Sequence, residues 1–228
     1  MFIRRSSETI STLPPLENGD HLDQKTFHAR YEAMPEGTRA ELIGGIVYMS
    51  SPLKRPHSRM HKRASHWLTE YEDATPGTEG FDNATNILGE ENETQPDLCL
   101  LIASDKGGQT REENEYIFGG PELILEIASS AESIDLHRRR RDYEEAGVRE
   151  YVVVAIRQSR VFWFVARNGR FEDLPLHSDG LYRSEVFPGL WLDPAALLRR
   201  EAVRLREVLQ QGLASPEHAA FVARLTGQ

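Results

Sequence analysis

The sequence is poor in cysteine, in long apolar runs and in net positive charge, and each scarcity removes a class of protein. Cys99 is its single cysteine. A lone cysteine excludes an internal disulfide framework and any cysteine-rich zinc site, and its place in "DLCLLI" reads as a small buried hydrophobe. No run approaches the ~20 apolar residues of a membrane span, and "MFIRRSSETISTLPPLENGD" holds no stretch apolar enough for a signal peptide. The expectation is a soluble, cytoplasmic protein. A net charge of −9 and a pI near 5.4 argue against a surface coated in positive charge. They leave room for a local basic groove, because charge is screened within about 10 Å at ordinary salt. There is no G-x-S-x-G elbow, no phosphate-binding glycine loop, no repeat and no low-complexity tract.

What is present fits one globular domain. The chain has 228 residues, 39% of them hydrophobic and 28% charged, enough for one real core. Residues 1–22, polar and with Pro14, Pro15 and Gly19, read as a flexible arm. "LDQKTFHARYEAM" reads as a short helix stopped at Pro35. In "AELIGGIVYMSSP", two apolar runs flank Gly44 and Gly45, a two-residue hairpin signal. In "HSRMHKRASHWLTEY", Met60, Ala64, Trp67, Leu68 and Tyr71 share one helical face. "PDLCLLIA" and "PELILEIA" read as buried strands, and the polar "SDKGGQTREENEYIFGG" between them as a surface loop. A helix rich in arginine follows, then "YVVVAI", "VFWFVAR" and "RFEDLPL" as strands. The sum is an α/β (α+β) domain with a mixed central sheet flanked by helices over residues 23–194. Residues 195–228 form a helical extension, which packs back on the domain or joins a second copy as a homodimer.

Four consecutive arginines, Arg138, Arg139, Arg140 and Arg141, stand out in an acidic chain. On a wheel of about 100° per residue, Leu136, Tyr143, Ala146 and Gly147 share a face. Arg139 falls in its middle, one turn after Asp135 and one before Tyr143. Arg140 sits at the border, and Arg138 and Arg141 point outward beside His137, Glu144 and Glu145. An inward arginine requires a carboxylate or phosphate partner, since a buried unpaired charge is very costly. Glu126, inside "LILEIA", is a carboxylate where a strand is otherwise apolar. Asp97 opens the other strand directly after Pro96. If those strands pair, the two carboxylates converge at one end of the sheet. Two readings stay open: a site for a hard cation such as Mg²⁺, or a structural Glu126–Arg139 ion pair.

The segments "AELIGGIVYMSSP", "QPDLCLLI", "GGPELILEIASS", "SIDLHRRRRDYEEAGVREYVVV" and "FPGLWL", in that order, resemble the Uma family of restriction-endonuclease-like proteins, a branch of the PD-(D/E)XK nuclease superfamily. The resemblance spans about residues 22–194. It implies a DNA endonuclease dependent on Mg²⁺ or Mn²⁺, with metal ligands at Asp97 and Glu126. Glu41 matches an acidic residue that supports the site, and His57 matches a recurring family histidine. His57 also lies on the apolar face with Met60 and Ala64, so a packed core histidine is the other reading. The superfamily motif carries a lysine two residues after the second acid, where this chain has Ala128. In this branch the lysine stands on the following helix, at the position of Arg139. Arginine keeps the charge and grips phosphate with two hydrogen bonds, but it does not deprotonate to act as a base. The alternative is therefore an inactive nuclease fold that binds nucleic acid or a protein.

"LKRPHSRMHKR" supplies Lys54, Arg55, Arg59, Lys62 and Arg63. They form either a phosphate-contacting surface, without base reading or sequence preference, or a solvated helix face. His57 and His61 have zinc-ligand spacing, but "HSRMH" lacks the glutamate of H-E-x-x-H and no third ligand is evident.

Overall fold

The computed structural model describes residues 13–50, 52–129 and 134–227, with backbone only at 134 and 135. In chain order the elements are α1 (Gln24–Glu32), β1 (Ala40–Ile43), β2 (Ile46–Met49), α2 (Arg55–Asp73), β3 (Thr78–Asp82), β4 (Asn86–Ile87), β5 (Glu93–Thr94), β6 (Leu98–Ile102), β7 (Arg111–Glu113), β8 (Tyr116–Phe118) and β9 (Leu123–Ala128). A π-helical turn (Ile134–Arg139) leads into α3 (Arg140–Glu145), followed by β10 (Glu150–Ala155), β11 (Arg160–Arg167), β12 (Arg170–Asp173), β13 (Tyr182–Arg183), β14 (Trp191–Leu192), α4 (Pro194–Arg199), α5 (Ala202–Leu213) and α6 (Pro216–Thr226).

The central sheet has the order β12-β11-β10-β9-β6-β3, with β9 and β10 parallel and the other neighbours antiparallel. Alternate side chains of its middle strands enter two cores. Leu98, Leu100, Leu123, Leu125, Val152 and Val154 pack under α2 and the C-terminal helices. Cys99, Ile124, Tyr151 and Val153 pack with Tyr143 of α3 on the opposite face. Burial on both faces is why these strands read as unbroken apolar runs. On the first face the ring of Trp67 meets Trp163 edge-on at 6.3 Å, and the Trp67 indole donates to the Trp191 carbonyl at 3.0 Å.

A second mixed sheet, β2-β1-β5-β4-β8-β7, accompanies the expected central one. It contains the hairpin turning at Gly44 and Gly45, whose positive φ values of 55° and 71° suit a turn that glycine adopts without strain. It also corrects the reading of residues 104–120 as a loop: β7 and β8 form a hairpin turning at Asn114 and Glu115, both at positive φ. The turn lacks the usual glycine and β7 is wholly exposed, so no apolar alternation betrayed it. Residues 1–12 of the expected arm lie outside the described residues. Residues 13–22 depart from a flexible arm: Leu16 is buried, and Gly19 and Asp20 exchange backbone hydrogen bonds with Val47.

The helical extension over 195–228 is three helices, and its first stretch, "AALLRREAVRLREVLQQG", is broken at Arg200, whose φ of 62° leaves the α-helical region. In the C-terminal helices, Leu205, Leu209, Phe221 and Leu225 join the core beneath α2. Gly212 of α5 lies against Gly189, so that a Cβ there would collide with the Gly189 carbonyl oxygen and the Trp191 ring. Both sides of that contact resist movement, one being backbone and the other a packed indole. Gly212→Ala is expected to lower stability by about 1–3 kcal/mol, seen as a lower urea midpoint at unchanged slope. An unchanged midpoint would show that α5 is not clamped there.

Candidate active site

Asp97 and Glu126 meet because β6 and β9 pair antiparallel with Leu98 opposite Leu125, which puts the two acids at the next rung. Their neighbours on the same side, Cys99 and Ile124, belong to the core that includes Tyr143. Asp97 Oδ2 accepts from the Ile127 amide at 2.7 Å and lies 3.1 Å from His57 Nε2. The Asp97 amide points at Glu126 Oε2, 3.4 Å away. His57 stands in the first turn of α2, which carries its ring over the end of the sheet, and it is buried. The His57 ring is packed, as the core reading expects, and it also touches the Asp97 carboxylate. His61, one turn on, reaches the Asp97 carbonyl at 3.0 Å.

Arg139 closes the cluster from the π-helical turn. Its guanidinium grips Glu41 with both terminal nitrogens, Nη1 at 3.0 Å from Oε1 and Nη2 on Oε2. Nη1 also donates to Glu126 Oε1 at 2.8 Å. The Tyr143 hydroxyl donates to the same oxygen at 2.9 Å. Burial pushes the Tyr143 phenol well above its usual value, as does the nearby Glu126, so it stays a donor. Glu41 comes from the second sheet, where its Oε1 also accepts the Gln95 amide at 2.8 Å. Arg139 thus joins the two sheets through carboxylates that are all less than a tenth exposed.

The four arginines have four fates. Arg139 is inward, as the wheel requires. Arg140 lies with its guanidinium 4.0 Å from the Phe164 ring centre and donates to the Phe171 carbonyl at 2.8 Å. Arg141 is exposed, near Asp142 and Glu145. Arg138 corrects the reading of a solvated residue: it is half-buried and bonded to the Tyr48 hydroxyl on β2. The wheel fails there because Arg138 belongs to a π-helical turn, whose i→i+5 bonding puts more residues in each turn than an α-helix and so shifts the angle at which each side chain leaves. Tyr48 was missed although the hairpin register makes it the cross-strand partner of Glu41.

Lys54, Arg55, Arg59 and Lys62 are exposed and Arg63 half-buried, on the helix that presents His57 to Asp97. None of the five makes an ion pair or hydrogen bond through its side chain among the described residues.

Among the described residues no group of three or more His, Cys, Asp or Glu side chains is arranged to hold a metal ion. The donor chemistry nonetheless suits a hard cation that keeps most of its water. Asp97 Oδ1 accepts no hydrogen bond among the described residues, and Glu126 Oε2 lies on the Asp97 side of its carboxylate, 3.4 Å from the Asp97 amide. Two adjacent carboxylates of this kind fit Mg²⁺ or Mn²⁺ better than a softer ion.

No curated protein matches the sequence. Four chains of solved structures do. One is the crystal structure of a putative nuclease belonging to DUF820 from Anabaena variabilis. It is 18% identical, with a TM-score of 0.53, over 74% of this chain and 97% of that one. At that identity the likeness speaks for the fold alone, a nuclease-like one. The family model described as "Uma2: Putative restriction endonuclease" matches residues 26–195, which hold both sheets and every residue of the cluster. The chain belongs to the Uma2 family.

Proposed function

We propose that this protein is a divalent-metal-dependent endonuclease that hydrolyses phosphodiester bonds in DNA in the cytoplasm. The observation that carries the reading is the convergence of Asp97 and Glu126 on one rung of the central sheet, with Asp97 Oδ1 accepting no hydrogen bond among the described residues. Asp97 and Glu126 would hold Mg²⁺ or Mn²⁺. Such an ion supplies Lewis-acid polarisation of a phosphoryl oxygen and acidification of a water. The chain's own groups have separate tasks. The Ile127 amide and His57 fix the Asp97 carboxylate, Tyr143 orients Glu126, and Glu41 holds the Arg139 guanidinium against it. Lys54, Arg55, Arg59, Lys62 and Arg63 meet backbone phosphates, giving affinity that falls steeply with salt and carries no sequence preference.

A second reading has its own observation. Arg139 is already engaged by two carboxylates, and a guanidinium so neutralised is a weaker electrostatic partner for a phosphate than a free lysine would be. That favours an inactive nuclease fold that binds nucleic acid or a protein partner. Plasmid nicking with Mg²⁺, Mn²⁺ or chelator separates the two. Wild-type nicking that requires metal, with Asp97→Asn reduced on the order of 10²- to 10³-fold, is the expected result. Cleavage by Arg139→Lys with none by wild type would establish the silenced scaffold, and cleavage unaffected by Asp97→Asn would overturn the site.

A further inference from the structure

We infer that Arg138, and not Arg139, is the arginine of this cluster that contacts a nucleic-acid phosphate. The inference rests on the reading of the cluster as a nuclease site and names its substrate-contacting cation. Glu41 and Tyr48 are directly opposed across β1 and β2, so their side chains lie on one face of the hairpin. The π-helical turn sends consecutive arginines to that face: Arg139 to Glu41, Arg138 to Tyr48. The two guanidinium groups are thus neighbours in sequence and in target, yet their charges are handled differently. Arg139 is held by Glu41 and Glu126. Arg138 has no carboxylate within ion-pair distance among the described residues, and its partners are the Tyr48 hydroxyl and the Tyr48 ring, whose centre lies 5.7 Å away.

A phenol orients a guanidinium without neutralising it, and a half-buried arginine that makes no ion pair among the described residues is an arrangement that favours an incoming anion. The planar fork matches the geometry of a phosphate. Asp142 faces the same turn glycine, Gly44, as Arg138 does, but the two are not ion-paired. Burial pushes the Asp142 carboxyl upward while Arg141 and Arg138 pull it down, so Asp142 feels the Arg138 charge without closing an ion pair on it. Arg140 also makes no ion pair among the described residues, but it lies over Phe164 and bonds Phe171, on the central sheet rather than the hairpin. The position of Arg138, beside the carboxylates and only half covered, is the one from which a backbone phosphate at the cluster is reached.

The test is binding of a labelled DNA duplex of arbitrary sequence in chelator, followed by fluorescence anisotropy across a range of salt. Four variants bracket the question: Arg138→Gln, Arg138→Lys, Tyr48→Phe, and Arg141→Gln as a control of equal charge change. Arg138→Gln is expected to weaken binding about fivefold to tenfold and to lower the slope of log affinity against log salt by about one. Arg138→Lys keeps the slope. Tyr48→Phe keeps it too, at reduced affinity, because the cation remains but loses its orientation. Arg141→Gln leaves both close to wild type. Equal losses in Arg138→Gln and Arg141→Gln, or a wild-type slope in Arg138→Gln, would overturn the assignment while leaving the nuclease reading intact. If Arg138→Gln does not fold, a lost slope in folded Arg138→Lys overturns it equally. A wild type that binds no DNA overturns both.

Discussion

Arg139→Met is expected to cost about 3–5 kcal/mol of stability, the range for removing one partner of a buried ion pair. The substitution leaves Glu41 and Glu126 facing each other with no cation between them, in a cluster where each is less than a tenth exposed. It also cuts the side-chain bonds that tie the helical turn to both sheets. Arg139→Lys should fall between, since one ammonium does not reproduce a fork that reaches two carboxylates. Adding Glu41→Gln to Arg139→Met should restore part of the loss, because one of the stranded charges disappears. Urea midpoints of the two single variants and the double give the coupling directly. A loss below about 1 kcal/mol, in the range of exposed pairs, would mean that water enters the cluster freely.

The second large effect concerns pH. Glu150, the first residue of β10, is fully buried and accepts from the Ser184 hydroxyl at 2.6 Å and the amides of Glu185 and Val186 at 2.7 and 3.2 Å. Burial outweighs these bonds and raises its carboxyl from an ordinary 4.5 to about 7. The folded protein therefore holds a proton that the unfolded chain gives up. The stabilising contribution is complete below about 4.5 and is lost as pH rises through about 7. A shift of this size corresponds to about 3 kcal/mol. Glu150→Gln keeps an oxygen for the two amides and a donor for Ser184, and it has no proton to lose. Its stability relative to wild type should climb between pH 5 and about pH 8 and then level off. Parallel profiles for the two proteins would show that Glu150 is not the titrating group.

The sequence revealed those parts of the fold where a single local rule was in force. Gly44 and Gly45 announced their hairpin, and the Met60–Ala64–Trp67 face announced α2, because turn chemistry and helical spacing act over a few residues. The candidates Asp97, Glu126 and Arg139 stood out for a related reason: Glu126 interrupts an apolar strand, Asp97 opens one, and Arg139 falls on the apolar face of a charged helix. The second sheet was hidden by its construction from short strands, two or three residues long at β4, β5, β7 and β8, which present no period to detect. Arg138 was misplaced because one wide helical turn breaks the angular spacing on which a wheel depends. Glu41 was flagged by the family resemblance, but its bond to a residue 98 positions away follows only from the packing of one sheet on another.

The placement of the indoles has a practical consequence for every melting experiment. Trp67, Trp163 and Trp191 are the chain's three tryptophans. Trp67 and Trp163 lie in the core beneath α2, and Trp191 is tied to them by the Trp67 hydrogen bond. The second sheet and α1 carry tyrosines instead, at 31, 48 and 116. Tryptophan emission is therefore an observer stationed on one side of the molecule. If the hairpin bearing Glu41 and Tyr48 opens before the body melts, that observer stays silent, while amide exchange at residues 40–49 registers the opening. Coincident transitions by the two methods would mean that the halves of the site stand or fall together.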